Sequence, residues 1–386
     1  MSATRLIKAQ LSHAYRRNGL WAFVAVCVAL IPFLPGLSNA RVFYVRDLSQ
    51  YFWGRYLWLR RAWLSGEWPL WDPFVGAGQA AYSDALNQMF LPPSVLVRLL
   101  GGEAFGFNLW VALPFPLAAL GTWLFLSRRF SPGASTLGAI AFAVCGPVVS
   151  TGNVPNLSWS VAALPWVLWA TDRVVSNQTP RNVAILAVTI ALQSLSGEPV
   201  TLFTTLGLMM GYAVLMDEPH GLHGLGRSTR SVICAGAATV LGLVMAAVQL
   251  VPMAQASSLA GRADSIVTDA WSLRPTALIE AIWPHLFGNF LETRTLADVP
   301  WMPLIYTGRE PLLFSIYFGA PLLTLAVFGL SGPGHRRWRL FWVSAGLVSI
   351  VASFGAYTPL YPILRDHVPP FNLFRFPVKY FVVAAM

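Results

Sequence analysis

Residues 105–126 read FGFNLWVALPFPLAALGTWLFL, 22 positions without a single Asp, Glu, Lys, Arg or His. A helix needs about 20 mainly apolar residues to cross a bilayer, so this stretch predicts a membrane span. Runs of the same character are centred on about 20–37, 134–151, 158–171, 182–196, 200–215, 231–251, 312–330 and 340–355. None of these cores contains Asp, Glu, Lys, Arg or His. The expected architecture is therefore an all-α polytopic transmembrane bundle, one domain over 1–386. A further run, YFVVAAM at 380–386, is too short to cross. The coding sequence is expected to continue past Met386 with at least about ten more apolar residues.

The composition agrees. The chain has 386 residues, 56% hydrophobic and 11% charged, against about 25% charged in ordinary soluble domains. This excludes a disordered chain, a secreted disulfide scaffold and a typical cytosolic enzyme. Cys27, Cys145 and Cys234 each lie in an apolar run, far apart in sequence, and read as small packing residues.

The formal charge of +10 is a topology signal. With the N-terminus inside, the inner segments are about 1–19, 127–133, 172–181, 216–230 and 331–339. They hold 13 Lys+Arg and three acids in roughly 60 residues, net +10. The outer segments hold 13 Lys+Arg and 13 acids in roughly 160 residues, net zero. Basic residues collect on the cytoplasmic side, facing anionic lipid, so nucleic acid is not an implied partner. The chain is expected in the cytoplasmic (inner) membrane, with its ionisable chemistry on the extracytoplasmic face. The basic start and apolar first run also resemble a signal peptide, but the run's length and the spans that follow favour an uncleaved first helix. Cysteine labelling should place 216–230 inside and 252–311 outside. Labelling of position 280 from the cytoplasm alone would overturn this orientation.

Two outer loops, 38–104 and 252–311, are too long for connectors. In the first, Leu48, Phe52, Tyr56, Leu59 and Trp63 recur at helical steps, with Arg55, Arg60 and Arg61 off that stripe. This predicts a short interfacial helix, ended by Ser65-Gly66 and a turn over 69–78. Asp47 precedes it. It is either the helix N-cap or a general base above the membrane surface. Asp72, Asp84 and Asn87 read as turn and capping residues. In the second loop, 271–282 reads as a helix ended by Pro284, and the acids form no metal motif.

Glu198 lies in QSLSGEPVTLF, a minimal turn between two spans, where a carboxylate needs water, a partner or a polar cavity. Arg375 and Lys379 mark the outer end of the last run. They read as snorkelling anchors or as a clamp for a lipid-linked phosphate. Gln193 and Gln249 read as interhelical hydrogen-bonding residues.

Taken together, these features resemble those of bacterial YfhO-like membrane proteins, within the GT-C superfamily of glycosyltransferases. The resemblance rests on the Asp47 helix, GEWPLWDPFVGAGQ (66–79), TGNVPNLSWSVAALPW (151–166), SGEP (196–199), WPHLFGN (283–289) and FRFPVKY (374–380), in that order. It implies a GT-C-like bundle that moves a sugar from a polyprenyl-phosphate donor to an envelope glycan or lipid acceptor. It also implies that Asp47, in the first outer loop, is the catalytic acid/base. The turn holding Glu198 commonly carries His in such proteins, which leaves a catalytic part for Glu198 open. Arg375 and Lys379 would bind the donor phosphate. A divalent ion shared by Asp47 and another acid is compatible with this, though no spacing demands one. The alternatives are a flippase or transporter of a lipid-linked envelope precursor, and a non-catalytic envelope-assembly protein.

Overall fold

The computed structural model describes residues 18–37, 41–216, 224–259, 271–289, 310–332, 334–368, 371 and 374–386. Much of 260–270 and 290–309, including most acids of the second outer loop, lies outside the described residues.

The fold is all-α. Among the described residues the only strands are β1 (Trp71–Asp72) and β2 (Gln79–Ala80), an antiparallel pair that closes the turn over 69–78. Helix α1 spans Asn18–Gly36 and tightens to a 3₁₀ turn from Ile31. The first outer loop holds a π-turn at Leu48–Phe52, then α2 (Trp53–Leu64) and α3 (Pro92–Leu100). There follow α4 (Ala104–Ala112), α5 (Pro114–Leu126), α6 (Pro132–Val144), α7 (Gly146–Ser150) and α8 (Pro155–Ser176). The series continues with α9 (Pro180–Leu195), α10 (Pro199–Leu215), α11 (Gly224–Met245) and α12 (Ala247–Leu259). Beyond lie α13 (Ala320–Leu330), α14 (Arg336–Ser353) and α15 (Leu360–His367).

Three of these elements are long and apolar enough to cross a membrane: α1, α4 with α5, and Ser228–Met245. A fourth joins α6 to 146–153 across a 41° bend. Shorter apolar helices occupy 180–195, 199–215 and 320–330. The nine expected runs are thus met only in part. Residues 312–319 are irregular rather than helical, so the run at 312–330 shrinks to the 11 residues of α13. The run at 134–151 breaks at Cys145, whose ψ of 154° is extended. Pro147 stands two residues later, and Gly-Pro is a helix-breaking pair. The expected helix over 271–282 is a 3₁₀ segment at Pro275–Ala281.

The stripe read from Leu48 to Trp63 faces inward as expected: Leu48, Phe52, Tyr56 and Leu59 are buried against Trp110, Phe107 and Met89. Outward faces are apolar too. Among its described residues α13 buries nothing, and Phe328 is 72% exposed. A surface helix in water carries a polar outer face, whereas acyl chains accept an apolar one.

Polar clusters lie at both ends of these helices. Asp172, buried near the end of α8, is gripped by Arg128, Arg129 and Tyr212. Arg173 meets Asn182 beside them. These residues lie at the C-terminal ends of α5, α8 and α10. Glu198, and Ser196 with its partner Gln88, lie at the other end of α9 and α10.

Candidate functional site

Asp47 sits on a pinned loop. Asn108 of α4 is fully buried and accepts the Phe43 N–H at 2.9 Å while donating to the carbonyls of Gly36 and Arg41. One amide therefore ties the exit of α1 to α4. Arg46 then adopts a positive φ of 43°, a conformation that L-residues rarely take. Its carbonyl accepts from Ser49 N, Gln50 N and Ser49 Oγ. Its guanidinium donates to Pro311 O at 2.8 Å, stands 3.7 Å from Glu310, and lies over the rings of Trp271 and Phe314.

The capping expectation for Asp47 fails. Its side chain makes no cap hydrogen bond. A capping residue has extended backbone, but Asp47 is already right-handed helical at φ −60°, ψ −27°. The N–H groups it would have capped go to Arg46 O instead. Asp47 is half-buried, and its carboxylate has no hydrogen-bond or ion-pair partner among the described residues.

Glu198 and Lys379 are brought together. The turn before Glu198 is tight: Gly197 has φ +80°, and a Cβ there would collide with the Ala85 carbonyl. Glu198 caps α10 by accepting from Thr201 N at 2.6 Å, and its other oxygen takes Lys379 Nζ at 2.7 Å. The Glu198 side chain is 0% exposed and that of Lys379 is 13% exposed. Burial alone would raise the Glu198 carboxyl, but the Lys379 ammonium and the Thr201 bonds outweigh it and hold it below the usual carboxylate range. Lys379 is thus neutralised by Glu198. Arg375, half-buried, has no bonded partner among the described residues.

Trp271 links the two regions. Arg46 lies 5.6 Å from its ring, Phe376 packs edge-on at 4.4 Å, and Val378 N donates to its carbonyl at 3.2 Å. The strands of chain bearing Asp47 and Arg375 therefore converge on one residue. Residues 377–385 form a 3₁₀ segment, packed against α14, with Val378 and Tyr380–Val383 buried.

Other expected residues behave as ordinary structure. Asp72 is 1% exposed and accepts from Phe74 N. Gln193 donates to Ser160 O and Thr205 Oγ1, joining three helices, whereas Gln249 reaches the loop carbonyl of Tyr82. The three cysteines are free. Among the described residues no three His, Cys, Asp or Glu side chains group together.

Three polar features escaped the sequence. Asp84, read as a cap, does accept from Leu86 N, but it also takes Tyr51 Oη at 2.6 Å and pairs with Arg55. Arg55 in turn stacks 3.9 Å from the Tyr51 ring and touches Asn87. Arg98 and Asn108 are fully buried polar side chains in apolar surroundings. The sequence carried no signal for them, because an Arg on an interfacial helix or at the end of an apolar run reads as a headgroup-level side chain.

Comparison of the chain with protein-family models, curated proteins and solved structures gives no match.

Proposed function

We propose that this chain is an integral membrane glycosyltransferase. It would move a sugar from a polyprenyl-phosphate donor to an extracytoplasmic envelope acceptor, from the cytoplasmic membrane, as a helical bundle of the GT-C kind. One observation carries this reading: Asp47 keeps a carboxylate with no partner among the described residues, on a loop fixed by Asn108 and Arg46, beside the Trp271 junction that also holds the Arg375 segment. A general base needs that freedom from internal partners and that rigidity of position. Asp47 takes the acceptor hydroxyl proton as the hydroxyl oxygen attacks the anomeric carbon and the bond to the polyprenyl phosphate breaks. Arg375 binds the departing phosphate. Lys379 serves by holding Glu198 and the turn before α10, so the phosphate clamp reduces to Arg375.

The test is reconstitution with labelled polyprenyl-phosphate sugars and envelope acceptors. Absence of transfer across a panel of donors would count against the reading. Arg375→Ala is expected to raise the donor KM by about 10–100-fold, the loss of one or two charge-assisted hydrogen bonds, with a smaller change in kcat. An unchanged donor KM would remove Arg375 from the site.

The flippase or transporter reading has one observation in its favour, the bent pair at 132–153, since transporters build sites at broken helices. Here, however, the break is filled by protein. Gly146 N donates to Tyr317 O, Ser150 exchanges bonds with Ser315, and Asn153 donates to Leu312 O. That leaves the enzyme reading ahead.

A further inference from the structure

The seam between α2 and α3 holds a buried cation, Arg98, that pairs with no acid among the described residues. Arg98 is 1% exposed. Its guanidinium lies 4.7 Å from the Trp110 ring, 5.8 Å from Tyr56 and 6.0 Å from Trp63. One long hydrogen bond, 3.4 Å to Gln88 O, serves it, and its Nε has no acceptor among the described residues. Glu103, the acid at the rim, is paired with Arg61 at 3.1 Å. Burial pushes Arg98 down to about 9, which still leaves it protonated at neutral pH.

Three more buried atoms on α2 and α3 have no hydrogen-bond partner among the described residues: Ser94 Oγ, Arg60 Nε and Trp63 Nε1. Ser94 is 0% exposed and sits one turn before Arg98 on the buried face of α3. Tyr56 and Trp63 of α2 both lie within 6.0 Å of the Arg98 guanidinium, and Arg60, between them in sequence, is close enough to Tyr56 for its charge to be felt there. Tyr56 feels both cations: burial pushes its phenol up to about 12, while the charges of Arg98 and Arg60 pull it down. The Tyr56 hydroxyl is fixed on Gly102 O, so it does not compete for the seam. A Cβ at Gly106 would strike that hydroxyl, which explains the glycine there.

Guanidinium and indole nitrogens donate and cannot accept. A buried cation without a counter-charge is strongly unfavourable, and buried donors need acceptors. The group that answers two guanidinium nitrogens, an indole N–H and a hydroxyl together is an anion with several oxygens. A phosphoryl group offers oxygens in more directions than a carboxylate does. We propose that the α2–α3 seam binds a phosphoryl oxyanion through Arg98, Arg60, Trp63 and Ser94. The rings of Tyr56, Trp63 and Trp110 flank it with apolar surface. This site uses none of the residues assigned to sugar transfer and stands or falls independently of that reading.

Two probes distinguish the sources of such a group. Radiolabelled orthophosphate is titrated onto the detergent-solubilised chain. Separately, retention of phosphatidic acid is measured on protein recovered from phosphatidylcholine vesicles with and without that lipid. Saturable binding of orthophosphate assigns the site to free phosphate. Retention of the phosphomonoester lipid without orthophosphate binding assigns it to a lipid headgroup. Arg98→Gln and Arg60→Gln are each expected to weaken binding about ten-fold or more. Trp63→Phe keeps the ring but removes the N–H, and weakens binding less. Arg61→Gln, outside the seam and already paired with Glu103, is the control and leaves binding unchanged. If Arg98→Gln does not fold, Arg60→Gln and Trp63→Phe decide the matter. Binding of neither probe by the wild-type chain overturns the proposal. So does binding that survives both Arg60→Gln and Trp63→Phe, or that falls equally in Arg61→Gln.

Discussion

Replacing Asp47 with Asn is expected to leave the protein folded in the membrane and to cut sugar transfer by about 10²–10⁴-fold, the usual loss when a positioned general base is removed. The small structural effect follows from the geometry. Asp47 caps nothing, and the first N–H groups of the helix are satisfied by the Arg46 carbonyl. No hydrogen bond or ion pair among the described residues is broken by the exchange, and Asn matches Asp in shape. The rate effect follows from chemistry: an amide cannot take the acceptor's proton at neutral pH. The measurement is transfer per folded protein, with folding checked by monodisperse elution and thermal unfolding in detergent. Near-wild-type turnover would remove Asp47 from the site while leaving the fold untouched. A comparable loss in both folded protein and turnover would instead make the residue structural.

The sequence made much of the fold legible because local patterns decide it. The i+3/i+4 stripe from Leu48 to Trp63 required one buried helix face, and Ser65-Gly66 required its end; Gly66 indeed has φ +77°. Apolar length alone was a weaker guide. Residues 312–319 are as apolar as a span, but they form no helix, and their backbone bonds the polar groups freed at the break near Cys145. Hydropathy reports burial and says nothing of conformation without a period. The candidate site was legible as residue types but not as pairs. Glu198 was flagged as a carboxylate needing a partner, yet that partner, Lys379, is 181 residues away. Arg98 was hidden for the opposite reason. One cation at the end of an apolar run normally snorkels, and only the packing of α2 over α3 shows that this one is enclosed.

Lys379→Ala is expected to destabilise the protein by about 3–5 kcal/mol at neutral pH, the usual cost of removing one partner from a buried ion pair. The residue lost is the ammonium, but the larger consequence falls on Glu198, whose 0% exposed carboxylate keeps, among the described residues, only its neutral bonds to Thr201. The pH dependence reverses between the two proteins. In the wild type, Glu198 is held below the ordinary carboxylate range, about 4.3 for Glu in model peptides. Its contribution to stability is therefore complete above that value and is lost as pH falls through the lower folded-state value. Without Lys379, the remaining dominant influence is burial, which raises the folded-state value above that of the unfolded chain. The folded variant then binds a proton more tightly than the unfolded chain, so its stability falls as pH rises, and the deficit narrows at mildly acidic pH. Glu198→Gln in the Lys379→Ala background removes the charge and keeps an oxygen for Thr201 N. It is expected to restore a large part of the loss and to flatten the pH dependence, because replacing both members of a buried pair costs far less than stranding one. Thermal unfolding of the wild type, Lys379→Ala, Glu198→Gln and the double variant across pH 5 to 8 measures the cycle, with pH 8 giving the largest gap between wild type and Lys379→Ala. A Lys379→Ala variant as stable as the wild type, or a double variant no better than the single, would mean that the pair is solvated in the folded membrane protein. Lys379 would then be free to meet a phosphate after all.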